Sequence, residues 1–191
     1  MEYIPLPGFE LKRGDILVKD RFDWDPACHI INLGQAVMDG KQYSNYVHAA
    51  IALNAEYIAE SQSDGVVRHS LKDNLGHGYK YQVFRHKNER AADLAARWAE
   101  EQVEMKPGYS FSKAFGSLFK STKKEKSLES VPLLGDNQLF CSEFAVDCYN
   151  RTCDLREQEP FTGDSSSWNP SALYGYLKNQ SIHFIYVGPL P

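Results

Sequence analysis

An α+β fold with a mainly antiparallel sheet is what this sequence predicts, on three observations. Short segments of strand character follow one another through the middle of the chain, two of them separated by only three residues. Segments with helical periodicity lie before and after that run instead of alternating with it, the order expected when helices pack on an antiparallel sheet. The 191 residues carry 42% hydrophobic, 24% charged and 13% aromatic side chains, which suits a globular domain with a buried core and excludes a disordered or fibrous chain. Residues 1–191 are read as one domain.

Gly14-Asp15 opens a short apolar strand, Ile16–Val18. Pro26 to Met38 places Ile30, Ile31, Gly34, Val37 and Met38 at helical spacing, with Gly40 beyond its end. Tyr46 to Leu53 alternates Val47, Ile51 and Leu53 with His48, Ala50 and Ala52, as a strand does. Asn54-Ala55-Glu56 then reads as a three-residue turn, and Tyr57–Ser61 as the returning strand. Val66-Val67 and Tyr79–Phe84 are further strands. Asn88 caps a helix in which Ala91, Leu94, Ala95, Trp98 and Gln102 recur at three and four. Lys120–Ser130 is a polar surface loop rich in lysine, and Gly163–Ser167 a second loop. Between them Phe140, Phe144 and Cys148 fall on one stripe of a helix over Leu139–Tyr149. Asn169-Pro170 caps and opens a short helix to Leu177, and His183–Val187 closes the chain as a strand.

Several function classes are set aside by composition. No stretch approaches the roughly 18 apolar residues of a membrane span, so no integral membrane segment is expected. The first residues, Met1-Glu2-Tyr3-Ile4-Pro5, have neither the basic nor the apolar region of an export signal, which implies synthesis in the cytoplasm without a cleaved leader. A net charge of -4 gives no electrostatic reason to expect nucleic acid. Cys28, Cys141, Cys148 and Cys153 have neither a disulfide framework nor the paired short spacings of a zinc site, so reduced thiols are expected.

The chemistry is sought around Cys141, in Gln138-Leu139-Phe140-Cys141-Ser142-Glu143 at or near its helix start. Unpaired amides and the positive end of the helix dipole favour a thiolate there. The alternative reading is a small buried apolar residue, since free cysteine is among the most buried types. A nucleophilic thiol needs a base, and among His29, His48, His69, His77, His86 and His183 the one inside a strand beside small residues is His48. Its alternative is a histidine hydrogen-bonded in the core. His69 and His183 read as ordinary sheet residues, and His77, between Gly76 and Gly78, as a loop residue. A base needs an orienting acceptor. With a three-residue turn at Asn54–Glu56, Leu53 pairs with Tyr57, and His48 and Glu60 project from one face as diagonal neighbours; a slip of one residue would separate them. Glu56 and Asp64 read as turn residues, and Gln62 as a neutral substitute for Glu60.

Taken together, Gly14-Asp15-Ile16-Leu17-Val18, Val47-His48-Ala49-Ala50-Ile51-Ala52 ahead of Ile58-Ala59-Glu60-Ser61, and Phe140-Cys141-Ser142-Glu143-Phe144 resemble the circularly permuted papain-like cysteine hydrolases. That group includes the YiiX/YebB-like proteins and the lecithin retinol acyltransferases and is related to the NlpC-type cell-wall peptidases. Lys106-Pro107-Gly108-Tyr109-Ser110-Phe111 and Asn169-Pro170-Ser171-Ala172-Leu173 are similar to segments of the YiiX-like proteins. The histidine precedes the cysteine, the order that marks the permutation. The resemblance implies a permuted papain-like fold with Cys141 as nucleophile, His48 as base and Glu60 as third member, needing neither metal nor organic cofactor. Tyr109 and Ser142 are candidates to line the cleft. The long segment Pro26–Ser44 and the lysine-rich loop depart from a minimal domain, so substrate choice does not carry over.

The expected activity is a cysteine hydrolase, first of a peptide amide in bacterial peptidoglycan stems. Such an enzyme, lacking a leader, would reach a target periplasm as an effector delivered by a secretion machine, with an inhibitory immunity protein as its natural partner. A lipid acyl hydrolase or acyltransferase of the same fold is the second reading. A binding module gripping its ligand with Tyr43, Tyr46, Tyr109 and Trp168 is the third.

Overall fold

A computed structural model of the chain describes residues 10–20, 46–62, 65–105, 141–152 and 160–190. Six strands form one antiparallel sheet: β1 (Ile16–Asp20), β2 (Tyr46–Ala52), β3 (Tyr57–Gln62), β4 (Gly65–Ser70), β5 (Tyr81–His86) and β6 (Phe184–Leu190). Their spatial order is β4-β3-β2-β1-β5-β6. The helices among the described residues are α1 (Leu71–Gly76), α2 (Glu89–Met105), α3 (Cys141–Asn150) and α4 (Pro170–Asn179). The α+β class with helices on an antiparallel sheet is thus as expected. The helix expected over Pro26–Met38 and the lysine-rich loop lie outside the described residues. None of the described helices is long and apolar enough to cross a membrane.

Ile16, Leu17 and Val18 are all fully buried because β1 is central and both faces of the sheet are covered. On one face Ile16, Val18, Ala49, Ile51, Ala59 and Phe84 pack against α2, α3 and α4. On the other, Leu17, Ala50, Ala52, Ile58, Tyr81 and Val83 meet Leu71 of α1 together with Leu11 and Leu190. His48 and Glu60 belong by strand alternation to this second face. The six-residue α1, capped by Ser70, was not expected; it is too short to show a period.

The buried stripe of α2 is turned from the expected one. Ala92, Ala95, Ala96, Ala99 and Gln102 are buried, while Leu94 and Trp98 are only half-buried. Alanines at the centre let the helix approach the sheet closely, and the bulky side chains fill its flanks. Gly14 shows how close this approach is. Its φ is +82°, and a Cβ built there would lie 2.3 Å from the carbonyl oxygen of Ala92. The same turn receives the Tyr149 hydroxyl of α3 on the Gly14 carbonyl, and Asp15 holds Arg85 of β5 through contacts of 2.8 and 2.7 Å. The Gly-Asp pair therefore locks two helices and two strands together.

The turn after β2 is as expected. Asn54 Oδ1 accepts from the amides of Glu56 and Tyr57 at 2.8 and 2.9 Å, and the Leu53 amide donates to Tyr57 at 2.9 Å. The resulting register pairs Ala50 with Glu60, Ile51 with Ala59 and Ala52 with Ile58. That ladder stops at Ala50; Tyr46, His48 and Ala49 pair only with β1, whose register shifts past Val47. Replacing Gly14 by Ala combines a left-handed backbone with a backbone collision and is expected to destabilise the protein by about 3 kcal/mol, read as a lower midpoint of urea unfolding.

Candidate active site

Where β2 and β3 part, odd-numbered amides of β2 lose their partners. Ala52 exchanges both its backbone bonds with Gly14 and Asp15 beside β1, whereas Leu53 bonds Tyr57 on the β3 side. By alternation the Ala49 N–H points toward β3, where a continued ladder would place Ser61. The first residue of α3 stands there instead. The Ala49 amide donates to the Cys141 sulfur, as does the amide of Ser142. Cys141 is thus the first helical residue, buried at 2% exposure, and its sulfur accepts from the histidine strand as well as from its own helix.

His48, one residue before Ala49, hydrogen-bonds the Cys141 side chain. On its other side His48 Nε2 lies 2.8 Å from Glu60 Oε2. This is an ion-pair contact: Nε2 is buried and its N–H makes no well-directed hydrogen bond. The diagonal relation expected from the turn register is the one observed. Burial works against a charge on each group, and the neighbours decide the outcome. For Cys141, burial would raise the thiol, but the charge and hydrogen bond of His48 and the two amides lower it. For His48, burial would lower the imidazole, but Cys141 and then Glu60 push it up to about 9. For Glu60, burial would raise the carboxyl, yet the close contacts of His48 and His69 hold it far below the usual carboxylate range.

Glu60 Oε1 has three further partners that sequence reasoning did not assign. His69 Nδ1 on β4 is 2.6 Å away, Gln62 Nε2 donates at 3.0 Å, and Asn74 Nδ2 of α1 donates at 3.4 Å while also reaching Tyr81 Oη at 3.1 Å. The β3–β4 register pairs Gln62 with Gly65 and Ile58 with His69. A two-residue connection at 63–64 was readable from Ser63-Asp64-Gly65, and it would have made His69 diagonal to Glu60. Asn74 had no such signal, since it arrives on a short helix.

Of the other expected site residues, Ser142 is fully buried. Its hydroxyl donates to the Trp168 carbonyl at 2.5 Å, so it anchors α3 instead of facing a cleft. Tyr109, Tyr43, His29, Cys28 and Cys153 lie outside the described residues. Cys148 is buried in the core with its thiol raised well above the ordinary value by desolvation. Tyr46 stacks on Tyr174 with ring centroids 3.7 Å apart, and Trp168 packs on Phe161 and Tyr176; both rings are spent on internal packing. Among the described residues no cluster of three His, Cys, Asp or Glu side chains is arranged to hold a metal ion.

No protein-family model, curated protein or solved structure matches the chain.

The two shifts give a pH window with a definite sign. A thiol lowered in the fold is stabilised as thiolate at high pH and loses that advantage on acidification; an imidazole raised in the fold contributes below its ordinary value and loses its contribution through about 9. The thiolate–imidazolium pair is therefore expected at neutral pH, and alkylation of Cys141 by iodoacetamide should reach its plateau well below the pH of an ordinary thiol, with Cys148 unlabelled. Glu60→Gln should lower the apparent His48 value by about one pH unit or more in an NMR titration, because the facing charge is removed.

Proposed function

We propose that this chain is a cysteine hydrolase with the permuted papain-like arrangement, acting on an amide bond. The observation that carries the reading is the meeting of Cys141 at the first turn of α3 with His48, backed by the buried carboxylate of Glu60. A thiol among apolar side chains alone would be raised, as Cys148 is; Cys141 is moved the other way.

In this reading the Cys141 thiolate attacks the carbonyl carbon. A C–S bond forms, and the carbonyl π electrons move to oxygen, where the backbone N–H of Cys141 at the helix start is a donor. His48 Nε2 faces Glu60, which leaves Nδ1 for the sulfur side. The imidazolium gives its proton to the leaving nitrogen as the C–N bond breaks, and a thioester remains on Cys141. Water then attacks the thioester with His48 taking its proton; the C–S bond breaks, the sulfur leaves as thiolate and a carboxylic acid departs. Glu60 stays ionised throughout and holds the imidazole in place.

The resemblance of the Gly-Asp strand, the histidine strand and the Cys-Ser-Glu helix start favours the peptide amide of peptidoglycan stems as substrate class. A delivered effector opposed by an immunity protein is a setting that fits an enzyme with a periplasmic substrate. The lipid acyl reading shares every catalytic residue and differs only in substrate. The binding-module reading loses support from Tyr46 and Trp168, whose rings are packed internally.

Incubating the protein with purified sacculi, and in parallel with a panel of acyl lipids, separates the two substrate classes by mass spectrometry of the released fragments. Stem-peptide fragments are expected from sacculi. Cys141→Ala should abolish their release, a loss of at least about a thousandfold, in a protein that still unfolds cooperatively; retained turnover in that variant would refute the assignment.

A further inference from the structure

Glu60 lies between two histidines, not one. His48 Nε2 faces Oε2 at 2.8 Å and His69 Nδ1 faces Oε1 at 2.6 Å. A carboxylate only accepts, so Nδ1 of His69 carries the hydrogen in this contact. His69 is the solvent-facing member: its side chain is 37% exposed, against 16% for His48 and 2% for Glu60. Its second ring nitrogen takes up a proton on acidification, converting a neutral donor to Glu60 into a cationic one.

Resting on the hydrolase reading above, we infer that His69 is a positioning residue that keeps Glu60 ionised and aimed at His48 as the pH falls, extending the working range of the Cys141–His48 pair on its acid side. A carboxylate buried at 1% exposure without this neighbour would protonate at a higher pH, and His48 would then lose its counter-charge. The other groups around the carboxylate cannot replace it. Gln62 and Asn74 are neutral donors. Tyr81 on β5 presents a hydroxyl already bonded by Asn74. His48 on β2 and Cys141 on α3 are the reacting pair. Lys19 of β1, paired in register with His48, has its ammonium over the Tyr79 ring at 3.2 Å. Lys72 and Asp73 of α1 are exposed. A cation at His69 also favours the Cys141 thiolate directly, so both effects have the same sign.

The test is the pH dependence of Cys141 alkylation by iodoacetamide from pH 4 to 9 for the wild type, His69→Asn and His69→Leu, with labelled cysteines identified by mass spectrometry. Asn keeps a neutral donor near the position of Nδ1 but cannot be charged; Leu supplies neither. Relative to the wild type, the acid limb should move to higher pH by about half a unit in His69→Asn and about one unit in His69→Leu, the scale of a single neighbouring group. Plateau rates above pH 7 should agree within about twofold between the wild type and His69→Asn, and absence of Cys148 labelling shows that each variant is folded. Superposable curves for wild type and His69→Leu would overturn the role of His69 while leaving the hydrolase reading intact. A wild-type curve of an ordinary thiol would overturn both.

Discussion

Every feature of the site depends on the place where β2 and β3 stop pairing. Four residues of β2 beyond Ala50 keep only β1 as a neighbour, and a buried backbone amide without a partner costs as much as a lost hydrogen bond. The start of a helix has the same problem, since its first amides have no intrahelical acceptor. One sulfur answers both: Cys141 accepts from Ala49 on the strand and from Ser142 on the helix. The thiolate is thus favoured by the backbone groups that the fold would otherwise leave unsatisfied.

The second constraint is the buried charge of Glu60. Ionised carboxylates are almost never fully buried unless paired, and this one is surrounded by His48, His69, Gln62 and Asn74. Those partners come from β2, β4, β3 and α1, so the charge is stable only when four elements are assembled. Cys141 and His48 support each other in the same way: each is desolvated, and each gains its charge from the other. Site and fold are consequently not separable. The Gly14-Asp15 junction, which ties α2, α3 and β5 to the start of β1, sets the height at which α3 meets the sheet.

Much of this was legible from local signals. The Asn54 turn fixed the β2–β3 register, and with it the diagonal of His48 and Glu60, because side chains alternate with a period of two. The Asn88 and Asn169 caps marked two helix starts that the structure bears out. Legibility ended where short elements meet. The helix α1 has too few residues for a period, so Asn74 was invisible. Ser142, a candidate to line the cleft, instead has its hydroxyl committed to the packing of α3 against Trp168. The buried face of α2 was misplaced toward its bulky residues because hydrophobicity alone does not show that a backbone must approach Gly14 closely.

By itself, then, the sequence determined the class of fold, the starts of the two asparagine-capped helices, one hairpin register, and a cysteine, histidine and glutamate of the right chemical types. These follow from interactions within a few residues of chain. Tertiary structure alone decided that the histidine and the thiol share a hydrogen bond, that an amide of the histidine strand faces the sulfur, and that a second histidine holds the carboxylate. Such facts depend on distances between segments far apart in the chain, and those distances are set by which strands part and how near a helix can come.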